Sequence, residues 1–182
     1  TTGSGKTLVY FQRIKKIIEK NNQALVLLPE IFLTNDFKSR FEDFFGFEPS
    51  IWHSKILPKQ KRLIWKGIIN NKIKILVGAR SALLLPFKKL GIIIVDEEHD
   101  ASYKQDEGVI YNARDMAISR AKFEKIPIHL VTSVPSIETY NNIQNKRYRH
   151  IKIFNRFNNY PLPKAKIINL NLNKIRNKFI AD

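Results

Sequence analysis

Apolar positions along this chain of 182 residues follow two rhythms. Leu8, Phe11, Ile14, Ile17 and Ile18 recur at helical spacing, and Asn21-Asn22 ends that run. Ala24 to Leu28 then reads as a buried strand stopped by Pro29-Glu30. Thr34 or Asn35 can cap a second helix carrying Phe37, Phe41, Phe44 and Phe45, closed by Gly46, an aromatic stripe expected to pack in the core. Ile51-Trp52-His53 is a short strand. Pro58 suits the first turn of a helix whose apolar face is Leu63, Ile64, Trp65, Ile68 and Ile69, with Lys59, Lys61, Arg62 and Lys66 as a solvated face. Strands follow at Ile73–Val77 and Ile92–Val95, and a polar surface loop at 101–110. Asn112 caps a helix through Met116, Ala117 and Ala121. Ile128 to Val134 is another strand, Ser136 caps a short helix with Ile137, Tyr140 and Ile143, and 148–154 form a last strand. Residues 155–182, with one strand-like run at Lys166-Ile167-Ile168, read as a linker. Strand and helix alternate, which predicts a doubly wound, mostly parallel α/β sheet over residues 1–154.

The strand at Ile92–Val95 ends in Asp96-Glu97-Glu98-His99-Asp100. Carboxylates at the carboxyl end of a parallel strand lie where α/β proteins place ligands. One can hold Mg²⁺ and the next can orient a water. Upstream, Thr2-Gly3-Ser4-Gly5-Lys6-Thr7 matches the phosphate-loop pattern G-x-x-x-x-G-K-[ST] from its second position. Backbone N–H groups around Gly3 and Gly5 would face phosphates, Lys6 would reach the β- and γ-phosphates, and the Thr7 hydroxyl would ligate Mg²⁺. The first glycine of the pattern is absent, as is the strand that normally precedes the loop. A Gly/Ser-rich linker before a helix is the plain alternative.

Composition narrows the classes. There is no cysteine, so neither a disulfide framework nor a thiolate zinc site exists in these residues. No apolar run approaches the ~18 residues of a membrane span, so no membrane partner and a cytoplasmic location are expected. The chain does not begin with Met, which reads as a piece of something longer. A net charge of +16 suggests a polyanionic partner. The recurrence of Ile, Lys, Asn and Phe would also follow from an AT-rich genome; the sign of the charge still favours nucleic acid.

Together these motifs resemble the first motor domain of the primosomal replication-restart helicases, the primosomal protein N-prime family. The landmarks are Thr2 to Thr7, Leu28-Pro29-Glu30-Ile31, His53-Ser54, Val77-Gly78-Ala79-Arg80-Ser81-Ala82, and Asp96-Glu97-Glu98-His99-Asp100-Ala101-Ser102-Tyr103-Lys104-Gln105 with Tyr111-Asn112-Ala113-Arg114-Asp115. The resemblance implies a RecA-like P-loop NTPase fold, ATP and Mg²⁺ as cofactors, 3′→5′ translocation on forked or single-stranded DNA, and primosome and replication-restart partners. Zinc would belong only to parts of such proteins outside this chain. By position, Thr2, Gly3, Ser4, Gly5, Lys6 and Thr7 bind ATP, Thr7 and Asp96 hold the metal, Glu97 activates water and His99 relays the nucleotide state. Pro29, Glu30, Arg80 and Ser81 lie in DNA-contacting segments. Residues 102–111 resemble an aromatic-rich loop that couples DNA to hydrolysis. Tyr103 and Tyr111 are expected to stack on bases, with Lys104 and Arg114 as further DNA contacts; surface packing is the alternative for the tyrosines.

Departures from the family pattern are Ala79 for threonine, Thr132-Ser133-Val134 for Ser-Ala-Thr, Val109-Ile110 for an aromatic and a basic residue, and the absent first glycine. They keep a second reading open, a truncated remnant that binds nucleotide or nucleic acid without turnover. The chain alone is expected to bind ATP poorly and hydrolyse it scarcely. A small-molecule P-loop kinase is disfavoured, because the Asp-Glu-Glu-His run has no role there.

Overall fold

In the computed structural model, residues 4–154 are described, together with the backbone of two short strands near the carboxyl end. The β-branched runs become strands β1 (Gln23–Leu27), β2 (Ser50–Trp52), β3 (Ile75–Gly78), β4 (Leu90–Asp96) and β7 (Ile128–Val131). They pair in the order β2-β3-β1-β4-β7, every pair parallel. The register sets Leu27 opposite Gly78 and Val95, Trp52 opposite Gly78, and Asp96 opposite Val131. All five carboxyl ends therefore meet at one edge, with the doubly wound RecA-like architecture expected.

Alternation along the strands divides the core. Leu25, Leu27, Ile93 and Val95 pack towards α3 (Pro58–Ile69) and α4 (Ala113–Glu124). Ala24, Val26, Ile92 and Ile94 pack towards α1 (Lys6–Ile18) and α2 (Asn35–Phe45). Asp96 shares the parity of Ile92 and Ile94, so its side chain projects towards α1. Phe11 of α1 sits among Phe37, Phe41, Phe44 and Phe45 with ring centroids 5.1–6.0 Å apart, the aromatic core expected of that stripe. At the opposite end of the sheet the buried Gln23 side chain donates to the Ile68 and Ile73 carbonyls and accepts from Lys89 N–H. The caps hold at Thr34, Asn112 and Ser136, each accepting a backbone N–H from the first turn of its helix.

Several expectations are corrected. Residues 148–154 form no strand, and β7 stops at Val131, short of Val134. α5 (Ile137–Gln144) turns Ile137 and Tyr140 to solvent and buries Thr139, because that face bonds to a buried carboxylate described below. On α1 the buried positions are Tyr10, Phe11 and Ile14, with Leu8 exposed; on α3 only Ile68 is fully buried, with Leu63 and Trp65 exposed. The loop after Asp100 is a 3-10 turn (Ala101–Tyr103) followed by a hairpin of β5 (Lys104–Gln105) and β6 (Tyr111–Asn112). In the stretch expected to be a linker, Ile175–Asn177 and Ile180–Ala181 pair as antiparallel strands β8 and β9. The run at 166–168 and residues 1–3, including Thr2 and Gly3, lie outside the described residues.

Gly78 is a point of close approach. A Cβ there would lie 2.5 Å from the Trp52 carbonyl oxygen and 2.7 Å from the Ala82 Cβ. Gly78→Ala must push β2 or the following 3-10 turn (Arg80–Leu84) away. We expect a loss of about 1–3 kcal/mol, read as a lower urea midpoint at unchanged slope.

Candidate nucleotide site

Gly5 enters α1 with φ +78°, a left-handed conformation that glycine adopts without a Cβ penalty. It delivers Lys6 and Thr7 to the carboxyl edge of the sheet. The helix amino terminus faces the same edge, a favourable setting for an anion. Lys6 Nζ donates to Ser133 Oγ at 2.5 Å and stands 3.5 Å from Glu97 Oε1. Ser4 Oγ is buried and has no hydrogen-bond partner among the described residues, an orphan that a phosphate oxygen would satisfy.

The end of β4 supplies the acids. Asp96 is almost wholly buried; its Oδ2 accepts from the Tyr10 hydroxyl at 3.0 Å and its Oδ1 from Glu97 N–H at 3.0 Å. Burial raises the Asp96 carboxyl above its ordinary range, opposed by the Tyr10 hydrogen bond, while the Glu97 charge adds to the rise. Burial and the Asp96 charge push Tyr10 well above its usual value, and hydrogen bonding to Thr7 pulls the other way. Tyr10 is thus bonded to the Asp96 carboxylate one turn of α1 beyond the Thr7 hydroxyl. These two hard oxygen donors suit Mg²⁺, which takes one or two protein ligands and keeps waters and phosphate oxygens. Among the described residues no three His, Cys, Asp or Glu side chains gather as a metal cluster. The donor set fits an ion that arrives with a nucleotide.

Glu97 occupies φ +48°, a left-handed position costing of order 1–3 kcal/mol for a residue with a Cβ. The turn aims its carboxylate at Lys6 and at His99, whose Nδ1 is 3.6 Å from Glu97 Oε2. His99 Nδ1 also lies 2.7 Å from Thr132 Oγ1. Thr132 Oγ1 in turn donates to the Val134 carbonyl at 2.7 Å. The Asp-Glu-Glu-His run is thereby joined to the end of β7.

Glu98, to which sequence reasoning gave no role, is the most buried acid among the described residues. Its carboxylate accepts from Ser136 N–H at 2.8 Å, Ser136 Oγ at 3.0 Å, Thr139 Oγ1 at 3.0 Å and Arg114 Nη1 at 3.3 Å. Arg114 is 7% exposed and also pairs with Asp115 at 2.8 Å. Burial works against its charge, but Asp115, Glu98 and Glu138 outweigh that and raise its pKa.

Two expected DNA contacts are therefore corrected. Arg114 is a buried clamp between α4, Glu98 and α5. Tyr103 is 1% exposed, and its hydroxyl donates to the Leu27 and Asp96 carbonyls, stapling β1 to β4 instead of offering a ring to a base. Pro29 is buried as well, leaving Glu30 at the surface, where its carboxylate accepts from Ser54 Oγ. Arg80 donates to the Lys104 carbonyl at 2.5 Å and the exposed Ser81 accepts from the Trp52 indole. Lys104 is exposed and pairs with Asp106, and Tyr111 is half-buried against the core. Tyr10 and Ser133 were also missed. Tyr10 stands three residues after Thr7, on the same helix face, the one sequence signal that could have found it.

Comparison with known proteins gives a consistent result. The family profile of DEAD/DEAH box helicases matches residues 1–143. The chain is 48% identical to the replication restart protein PriA of Rickettsia felis, over 99% of this chain and 28% of that protein. It is 38% identical to the Bacillus subtilis protein of the same name, over 93% of this chain and 21% of that one. The chain thus spans less than a third of the length of these relatives. Among solved structures it resembles RecG bound to a three-way DNA junction, with TM-score 0.53 and 21% identity over 77% of this chain and 18% of that one. The helicase MrfA bound to DNA and AMPPNP gives TM-score 0.54 and 19% identity over 78% of this chain and 22% of that one. No described helix is long and apolar enough to cross a membrane.

Proposed function

This chain belongs to the DEAD/DEAH box helicases, and we propose that it is the nucleotide-binding motor domain of an ATP-dependent DNA helicase acting in replication restart. Residues 1–154 form that domain, and we read 155–182 as a linker. One observation carries the reading: Lys6 converges with the distant Asp96 and Glu97 at the carboxyl edge, beside a buried Ser4 hydroxyl that has no partner among the described residues.

The residues suggest how hydrolysis proceeds. Lys6 exchanges Ser133 and Glu97 for the β- and γ-phosphates, which releases the Glu97 carboxylate to orient a water and accept its proton. Thr7 and Asp96 would hold Mg²⁺, which would supply charge neutralisation on the phosphates. His99 follows the change through Thr132 into β7. Glu30, Arg80, Ser81, Lys104 and Tyr111 are the DNA-facing candidates, and we assign 3′→5′ movement and primosome partners by resemblance to the replication restart proteins.

A second reading, nucleotide binding without turnover, is favoured by the hold that Ser133 has on Lys6. The test uses the 182-residue chain, its Lys6→Ala variant and a labelled single-stranded oligonucleotide. We expect salt-sensitive DNA binding without sequence preference, with a slope of about −0.7 in log K against log salt per neutralised phosphate. Any phosphate release should be raised by DNA and lost in Lys6→Ala. Nucleotide binding without turnover would select the second reading. Absence of DNA affinity at low salt would overturn the helicase assignment.

A further inference from the structure

The two tryptophans of the chain, Trp52 and Trp65, lie outside the nucleotide site and line one groove with Lys61, Arg62 and Lys66. Trp52 ends β2, one of the two outer strands of the sheet, so the groove opens beside the carboxyl edge. Its indole N–H donates to Ser81 Oγ at 3.1 Å, and Lys61 Nζ stands 6.0 Å over its ring. Lys61 also donates to the Ser54 carbonyl at 3.1 Å. These bonds hold Trp52 in place as a wall of the groove.

Trp65 is different. The core contacts of α3 are made by Ile68 and Ile64, while Trp65 stays 45% exposed. A large ring left in solvent beside Arg62 and Lys66 is not required by packing. The groove lining holds three cations and no acid, and α3 itself has no acidic residue. Positive charge interleaved with flat aromatic faces is the chemistry that holds unpaired bases and their phosphates, since every base offers a π-face. Duplex DNA would satisfy the charge but keep its bases stacked on each other.

We propose that the groove between β2 and α3 binds single-stranded DNA, stacking a base on Trp65 and setting adjacent phosphates against Arg62 and Lys66. The inference rests on the helicase reading only for the choice of DNA over other acidic polymers. Ser81, in a segment already assigned to DNA, touches Trp52, so the groove would extend that track around the edge of the sheet.

Because Trp52 and Trp65 are the chain's only tryptophans, intrinsic fluorescence reports on this groove directly. The 182-residue chain would be titrated with a 20-nucleotide oligothymidylate, with duplex DNA and with heparin. We expect oligothymidylate to quench tryptophan emission and the other two to leave it nearly unchanged. Trp65→Ala should weaken oligothymidylate binding by about 5- to 100-fold and Trp65→Phe should restore most of it, as expected for stacking. Joint replacement Arg62→Ala and Lys66→Ala should lower the salt slope by about 1.4. All three positions are exposed, and an unchanged melting temperature would show the variants folded. Equal quenching by heparin would overturn the proposal in favour of a general acidic-polymer patch. DNA binding seen by anisotropy, with steady emission and indifference to Trp65→Ala, would overturn it while leaving the helicase reading intact. No DNA binding by any readout would remove both.

Discussion

Glu98→Ala should destabilise the domain by about 3 kcal/mol, the largest single-residue effect we expect on folding. The carboxylate is fully buried and accepts from Ser136 N–H, Ser136 Oγ, Thr139 Oγ1 and Arg114. Removing it leaves those donors facing a cavity, and the Arg114 side chain, 9% exposed, loses its most buried partner. Breaking a buried pair by removing one partner typically costs 3–5 kcal/mol. The low end applies because Arg114 keeps Asp115 at 2.8 Å and Glu138 at 3.7 Å. For a chain of this size each kcal/mol moves the melting temperature by roughly 2–4 °C, so thermal unfolding should shift down by roughly 6–12 °C. Glu98→Gln keeps the volume, but its oxygen can accept at only one of the two carboxylate positions and its NH₂ accepts nothing, so it should fall in between. A Glu98→Ala melting temperature within a degree of the parent would show that α5 is not anchored through this residue.

Lys6→Ala and Glu97→Gln should move nucleotide affinity in opposite directions. Lys6 is the cation nearest the expected phosphates, and its side chain is 16% exposed. Truncating one partner of a buried, hydrogen-bonded charge pair costs ~2–5 kcal/mol, or a weakening of about 30-fold or more for ATP. Glu97 acts the other way before hydrolysis. Its carboxylate is 3.5 Å from Lys6 Nζ, so it competes with the phosphates for that ammonium and repels them. Glu97→Gln removes both effects, and ATP should bind more tightly while any turnover falls by about 10²- to 10⁴-fold. Titration with a fluorescent ATP analogue, paired with single-turnover phosphate release, reads both quantities. Equal weakening of binding by the two variants would show that Glu97 supports the phosphate site and does not compete for Lys6.

The periods of the chain were sufficient for the architecture. Ile92 to Val95 and Ala24 to Leu28 are buried on both faces, so they read as unbroken apolar runs, and a parallel α/β sheet is the fold that buries such runs. The Gly-Lys-Thr and Asp-Glu-Glu-His segments were legible because their chemistry needs residue types at fixed local spacing. The partnerships across the sheet were not. Tyr10 meets Asp96 only because β4 places Asp96 on the α1 face, and Lys6 meets Ser133 only because β7 lies beside β4. Tyr103 and Arg114 illustrate the limit most clearly. Tyr103 sits in the polar segment 101–110 and Arg114 in the first turn of the helix after it, yet the 3-10 turn after Asp100 folds Tyr103 back under the strand ends, and the Asn112 cap points Arg114 at Glu98. A residue's type gives what it can bond to; which side of the backbone it emerges from, and what waits there, is settled by the turns and the strand order of the whole sheet.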